Sequence, residues 1–199
     1  MTSETPRLTL PNMITLARLA LIPVFVLAFY LPYRHAAIAA AIIFVIAGIT
    51  DALDGYLARR MGLTSRFGAF LDPVADKLMV AAALVMLVHQ HNTIWLTLPS
   101  IVIISREITV SALREWMAEI GARARVAVSG IGKVKTILQI VAITGLLARS
   151  PLVDSAGDII MTPFLWLSYS ALYVATVLTL WSMFAYLRAA WPELWPSRR

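Results

Sequence analysis

The chain contains no cysteine. Disulfides, thiolate zinc sites and a cysteine nucleophile are therefore excluded. Charge is scarce too: Asp, Glu, Lys and Arg make up 14% of the 199 residues, against about a quarter in an ordinary soluble domain. No repeat or low-complexity tract is visible. No cleavable signal peptide is expected, because the first apolar stretch is too long for a signal h-region and carries Arg18. Apolar residues fill the space, at 60% of the chain with a mean hydropathy of +0.79. A chain of this length fits one domain, and one soluble core cannot hide so much apolar surface. Composition therefore points to a membrane protein.

A membrane-spanning helix needs about 20 mostly apolar residues. Six candidate spans run over 13–31, 36–58, 70–90, 94–117, 132–149 and 162–188. The expected fold class is an all-α membrane protein, a bundle of six transmembrane helices. An interfacial segment at 1–12, containing Pro6 and Pro11, precedes a six-helix transmembrane domain at 13–190, and a tail at 191–199 follows. Cations report orientation. Arg59, Arg60 and Arg66 surround the second connection, and Arg114, Arg123, Arg125, Lys133 and Lys135 the fourth. The opposite side holds only Arg34 and Arg149, with Asp154 and Asp158. Both termini and these two connections are thus expected on the cytoplasmic face. Trp95, Trp166, Trp191 and Trp195 fall near predicted helix ends, as interfacial aromatics do. The net charge of +6 lies beside apolar runs, so the expected partners are membrane lipid and phosphate, with no nucleic acid.

The acids gather in one stretch. Asp51 and Asp54 are spaced i, i+3 at the end of the second span, and Asp72 and Asp76 i, i+4 at the start of the third. Each pair shares a helix face, and a short connection lets the two pairs meet. Four carboxylates together repel: two unit charges ~4 Å apart interact by about 4 kcal/mol at an effective dielectric of ~20. A divalent cation removes that conflict, and all-oxygen ligation favours Mg²⁺ or Mn²⁺, as one or two ions. Gly55 and Ala58 continue the same stripe, serving either close helix packing or backbone access for a flat ligand. Arg59 either pairs with a phosphate or snorkels to the interface.

The stretch reads Asp51-x2-Asp54-Gly55-x2-Ala58-Arg59-x8-Gly68-x3-Asp72-x3-Asp76. It resembles the signature of the CDP-alcohol phosphotransferase family at all eight fixed positions. The resemblance implies that Asp51, Asp54 and Asp72 are metal ligands and that Asp76 is both ligand and base. It implies that Gly55 and Ala58 admit the cytidine of CDP-diacylglycerol, that Arg59 contacts the diphosphate, and that Ser65 brings a hydroxyl near the nucleotide. It also implies a homodimer in the bacterial cytoplasmic membrane. Asn12, Thr15 and Arg18 open the first span in a segment that commonly borders the nucleotide pocket in this family. Asn12, following Pro11, is equally a candidate helix cap.

Arg106 lies about two turns inside an apolar run, where an unpaired cation is costly. It needs a partner: Glu107, a carboxylate of the metal site or a substrate phosphate. Lys133 and Lys135 begin a helix, where they do not suit the dipole. They serve either positive-inside topology or an anionic acceptor. With the run Leu71-Asp-Pro-Val-Ala-Asp-Lys77, these segments resemble the branch of the family whose acceptor is sn-glycerol 3-phosphate, over about residues 8–190. Arg106, Arg114, Lys133 and Lys135 are then the expected phosphate ligands. A sister enzyme using inositol phosphate is the near alternative. A divalent cation transporter is the distant one, disfavoured because no acid within the first, fifth or sixth span continues a path. His89 and His91 are read as interfacial, and Met79, Met86, Tyr169 and Tyr173 as packing or lipid contacts.

Overall fold

Among the described residues the computed structural model has six helices and no strand. They are α1 (Leu10–Tyr30), α2 (Ala36–Met61), α3 (Arg66–His91), α4 (Ile94–Glu119), α5 (Gly130–Ala148) and α6 (Pro163–Leu194). The structure describes the backbone of residues 10–33, 35–61, 66–122, 130–149, 152, 154–155 and 159–194; within these, the side chains of 10–12, 51–52, 54–61, 66–70, 72–73 and 130–133 are not described. Among the described residues four stretches are long and apolar enough to cross a membrane: Met13–Tyr30, Val74–His91, Ile94–Glu119 and Pro163–Leu194. Among the described residues α2 and α5 contribute shorter apolar stretches, Ala36–Thr50 and Val134–Ala148. The remainder of each carries charge, Asp51 to Arg60 in α2 and Lys133 in α5. Every helix also turns an aliphatic side chain outward. Leu27, Ile49, Val85, Ile108, Ile137 and Leu167 are each more than half exposed. Helices with such faces belong in lipid.

The chain divides into two compact units, Met1–Met86 with Leu147–Ser150 and Leu87–Leu146 with Pro151–Arg199. In the first, α1 packs on α2. The stripe Thr15, Arg18, Phe25 and Ala28 is buried on α1, and Ala40, Phe44 and Ala47 on α2. Alanine lets the two backbones approach, which drives helix association where lipid is as apolar as the protein. Because α1 starts at Leu10, Asn12 lies inside its first turn and does not cap it. Pro11 is accommodated there because first-turn amides have no intrahelical acceptor.

In the second unit α4 packs on α6. Leu96, Ile103, Arg106, Val110, Leu113 and Met117 form one buried stripe of α4, spaced by three, four or seven. Leu165, Tyr169, Leu172, Thr176, Thr179 and Ser182 answer it on α6. Thr93 caps α4, its hydroxyl accepting from the Trp95 amide at 3.4 Å. At the other end the Gly121 amide bonds the Ala118 carbonyl at 3.1 Å and the Ala122 amide bonds that of Met117 at 2.8 Å. This is a Schellman stop, and it needs the left-handed φ of +75° that Gly121 adopts. Pro99 interrupts α4 and has no amide to give the Trp95 carbonyl. Tyr173 of α6 supplies the missing donor, its hydroxyl 2.9 Å from that oxygen. α5 approaches α6 at Gly145, where a Cβ would overlap the side chain of Ser168.

His91, read as interfacial, is buried at the end of α3 with its Nδ1 3.0 Å from the Tyr169 hydroxyl. A cavity of about 800 Å³ adjoins this pair, lined among others by Asn92, Trp95, Trp166 and Tyr173.

Candidate active site

Both acidic pairs fall in the first unit. Asp51 and Asp54 lie within α2 and Asp72 and Asp76 within α3, so all four sit on helical backbone at the spacing that puts each pair on one face. Four positions, 62–65, separate the two helices. Gly55, Ala58 and Arg59 occupy the last turns of α2. The side chains of Asp51, Asp54, Gly55, Ala58, Arg59 and Asp72, and the whole of Ser65, lie outside the described residues. Asp76 is described and exposed, directly after the fully buried Ala75. Among the described residues no three His, Cys, Asp or Glu side chains gather as a metal site. Asp51, Asp54, Asp72 and Asp76 offer only carboxylate oxygens, a chemistry that suits a hard cation such as Mg²⁺ or Mn²⁺.

Of the segment at the start of α1, Thr15 and Arg18 are both buried, at 0% and 1% exposure. Neither is without a partner. They face inward on the stripe that meets α2, so burial accounts for both as much as ligand contact does. The Asn12 side chain is outside the described residues.

The cationic residues separate into two groups. Arg106 and Lys135 are buried and share one carboxylate. Oε1 of Glu107 accepts from Arg106 Nη1 at 3.2 Å and from Lys135 Nζ. Arg106 continues into α6, where Nη2 donates to Ser182 Oγ at 2.9 Å and the guanidinium lies 5.7 Å from the centre of the Tyr186 ring. Glu107 is thus the partner that Arg106 required, and the same acid ties α4 to α5. Arg114 stands on the exposed side of α4, outside this group. The Lys133 side chain lies outside the described residues.

Ser182 and Tyr186 were not legible as members of the cluster. A hydroxyl and a ring in an apolar helix read as ordinary span residues. The available signal was the spacing of α6, which puts Ser182 on the same stripe as Leu172, Thr176 and Thr179.

This chemistry, a carboxylate set on two consecutive helices and a separate buried cation pair, agrees with a wider likeness. Residues 8–181 match the family model described as CDP-alcohol phosphatidyltransferase. The chain belongs to that family. Among CDP-alcohol phosphatidyltransferases it is 54% identical over 188 residues to a protein of Yersinia pestis (strain Pestoides F), covering 94% of this chain and 98% of the relative. It is 55% identical over 186 residues to one of Pectobacterium atrosepticum, covering 93% and 96%. It is 54% identical over 188 residues to one of Sodalis glossinidius, covering 94% and 98%. All three relatives are named CDP-diacylglycerol–glycerol-3-phosphate 3-phosphatidyltransferase. The matched span contains both acidic pairs, Arg106, Glu107 and Lys135.

Proposed function

We propose that this enzyme transfers the phosphatidyl group of CDP-diacylglycerol to sn-glycerol 3-phosphate, releasing CMP and phosphatidylglycerophosphate. The observation that carries the reading is likeness at 54–55% identity, over nearly the whole of each chain, to relatives named for that reaction. The buried pair of Arg106 and Lys135 supports it chemically, because glycerol 3-phosphate brings an anionic phosphate that needs fixed cations.

In this reading CDP-diacylglycerol lies with its acyl chains in the bilayer and its head against the last turns of α2. Gly55 and Ala58 leave room for the cytidine, Arg59 pairs with the diphosphate, and Asn12, Thr15, Arg18 and Ser65 border the nucleotide. Asp51, Asp54, Asp72 and Asp76 would hold the Mg²⁺ or Mn²⁺, one ion or two, which supplies charge neutralisation to the diphosphate. Arg106, Lys135, Arg114 and Lys133 hold the acceptor phosphate. The acceptor hydroxyl attacks the phosphorus that bears diacylglycerol. One P–O bond forms, the P–O bond to CMP breaks, and Asp76 takes the hydroxyl proton. A metal-bound carboxylate is a weak base. Weak basicity suffices where the transition state is loose and the nucleophile gains little charge before bonding.

The active site and both termini face the cytoplasm of a bacterial inner membrane, since the cations of the second and fourth connections follow the positive-inside rule. The enzyme acts as a homodimer whose protomer runs from an interfacial segment at 1–12 through the catalytic helices to the tail.

The test is CMP release from purified protein given CDP-diacylglycerol, Mg²⁺ and one acceptor at a time. Glycerol 3-phosphate should be the efficient acceptor. Preference for inositol phosphate would replace the acceptor while leaving the reaction class intact, and no CMP with either would overturn the reading.

A further inference from the structure

We infer that Ser182 and Tyr186 of α6 are positioning residues for the acceptor: they fix the Arg106 guanidinium in the orientation that receives the acceptor phosphate. This rests on the proposed role of Arg106 and extends it to a helix without charge between Pro163 and Tyr186.

An arginine side chain is long and jointed, and its planar fork recognises a phosphate well only when the plane is held. Arg106 is held from three directions. Glu107 accepts from Nη1 at 3.2 Å, Ser182 accepts from Nη2 at 2.9 Å, and the Tyr186 ring lies 5.7 Å from the guanidinium carbon. Ser182 is committed to this task. Its own proton goes to the Thr179 carbonyl at 2.9 Å, so its oxygen faces Arg106 as an acceptor. Tyr186 is fixed in turn, packed against the buried trio Leu113, Met117 and Ala190 that joins α4 to α6.

What remains of the guanidinium is chemically specific. Of five N–H groups, Nη1 and Nη2 each use one, and Nε makes no hydrogen bond within the structure although it is buried. Three of the five N–H groups therefore have no protein acceptor among the described residues, a donor capacity that suits an anionic phosphate. Lys135 enters the same site through the oxygen of Glu107 that Arg106 uses. A loosened Arg106 would keep its charge but lose its aim. The expected signature is weaker acceptor binding with little change in the lipid substrate or in turnover.

The experiment measures kcat and both KM values in the purified full-length enzyme, varying glycerol 3-phosphate and CDP-diacylglycerol in turn. Tyr186→Leu removes the ring and should raise the KM for glycerol 3-phosphate roughly three- to ten-fold, as loss of a cation–π contact would. The KM for CDP-diacylglycerol and kcat should stay within about two-fold. Tyr186→Phe keeps the ring and should restore the wild-type KM. Ser182→Ala should repeat the effect of Tyr186→Leu in smaller measure, and it decides the matter if the leucine variant does not fold. Unchanged acceptor KM in both Tyr186→Leu and Ser182→Ala, while Arg106→Gln raises it, overturns the positioning role alone. Equal rises in both KM values with a fall in kcat also overturn it, as the mark of a general structural role. If Arg106→Gln itself leaves the acceptor KM unchanged, the phosphate-site reading fails first.

Discussion

The acidic stretch of α2 and α3 and the cationic cluster of α4, α5 and α6 manage charge in opposite ways. The first concentrates four carboxylates within 26 consecutive positions, Asp51 to Asp76, and in the proposed reading takes its neutralising cation from outside the chain. The second carries its own counterion. Glu107 links Arg106 to Lys135, and the three formal charges, two positive and one negative, sum to +1. A site that borrows its neutralising charge can respond to metal and substrate. A site that builds its own is held in place before any substrate arrives.

That contrast orders the expected effects. Asp76→Asn should bring the largest, a fall in turnover of about 10²–10⁴-fold, the range for loss of a general base, with CDP-diacylglycerol binding retained. Normal turnover would remove Asp76 from the chemistry and leave the acidic stretch a binding site only. Glu107→Ala comes next. Breaking a fully buried ion pair costs ~3–5 kcal/mol. Glu107 keeps 20% of its side chain exposed, so a loss on the order of 2–3 kcal/mol is expected. It should be visible as a lower midpoint of thermal unfolding in detergent. An unmoved midpoint would mean that the cluster does not depend on its internal counterion. Lys135→Met should raise the acceptor KM by roughly ten-fold, as loss of one charge-assisted hydrogen bond would. The lipid KM should move less, and a reversed pattern would assign Lys135 to the lipid head. Arg114→Gln should do least. Its side chain is exposed on α4, so the acceptor KM should rise by less than for Arg106→Gln. An equal rise would extend the acceptor site along α4.

The same contrast explains what could be read in advance. The acidic stretch is local: its spacing can be matched along the chain, and the helices α2 and α3 carry it where the apolar runs and the acids imply. Helix ends were less legible. α6 was expected to stop near 188 and reaches Leu194, and α3 was expected to begin near 70 and begins at Arg66. Hydropathy follows apolar residues, whereas a backbone helix continues through polar turns until something stops it, as Gly121 does after α4. The cationic cluster is non-local. Arg106 and Ser182 lie 76 positions apart, and Glu107 and Lys135 lie 28 apart. The need of a buried arginine for a partner was readable from α4 alone. Glu107 stood among the candidates, but only packing of α4 on α6 brings Ser182 and Tyr186 to the guanidinium.

The central claim is that the acids of two successive helices work as one metal centre. Mn²⁺ binding to the purified enzyme, followed by electron paramagnetic resonance for the wild type, Asp51→Asn and Asp72→Asn, tests it most directly. Loss of the same bound signal in either variant is the predicted result. A signal that survives Asp72→Asn at wild-type affinity while Asp51→Asn removes it would contradict the claim, because the two helices would then not share an ion.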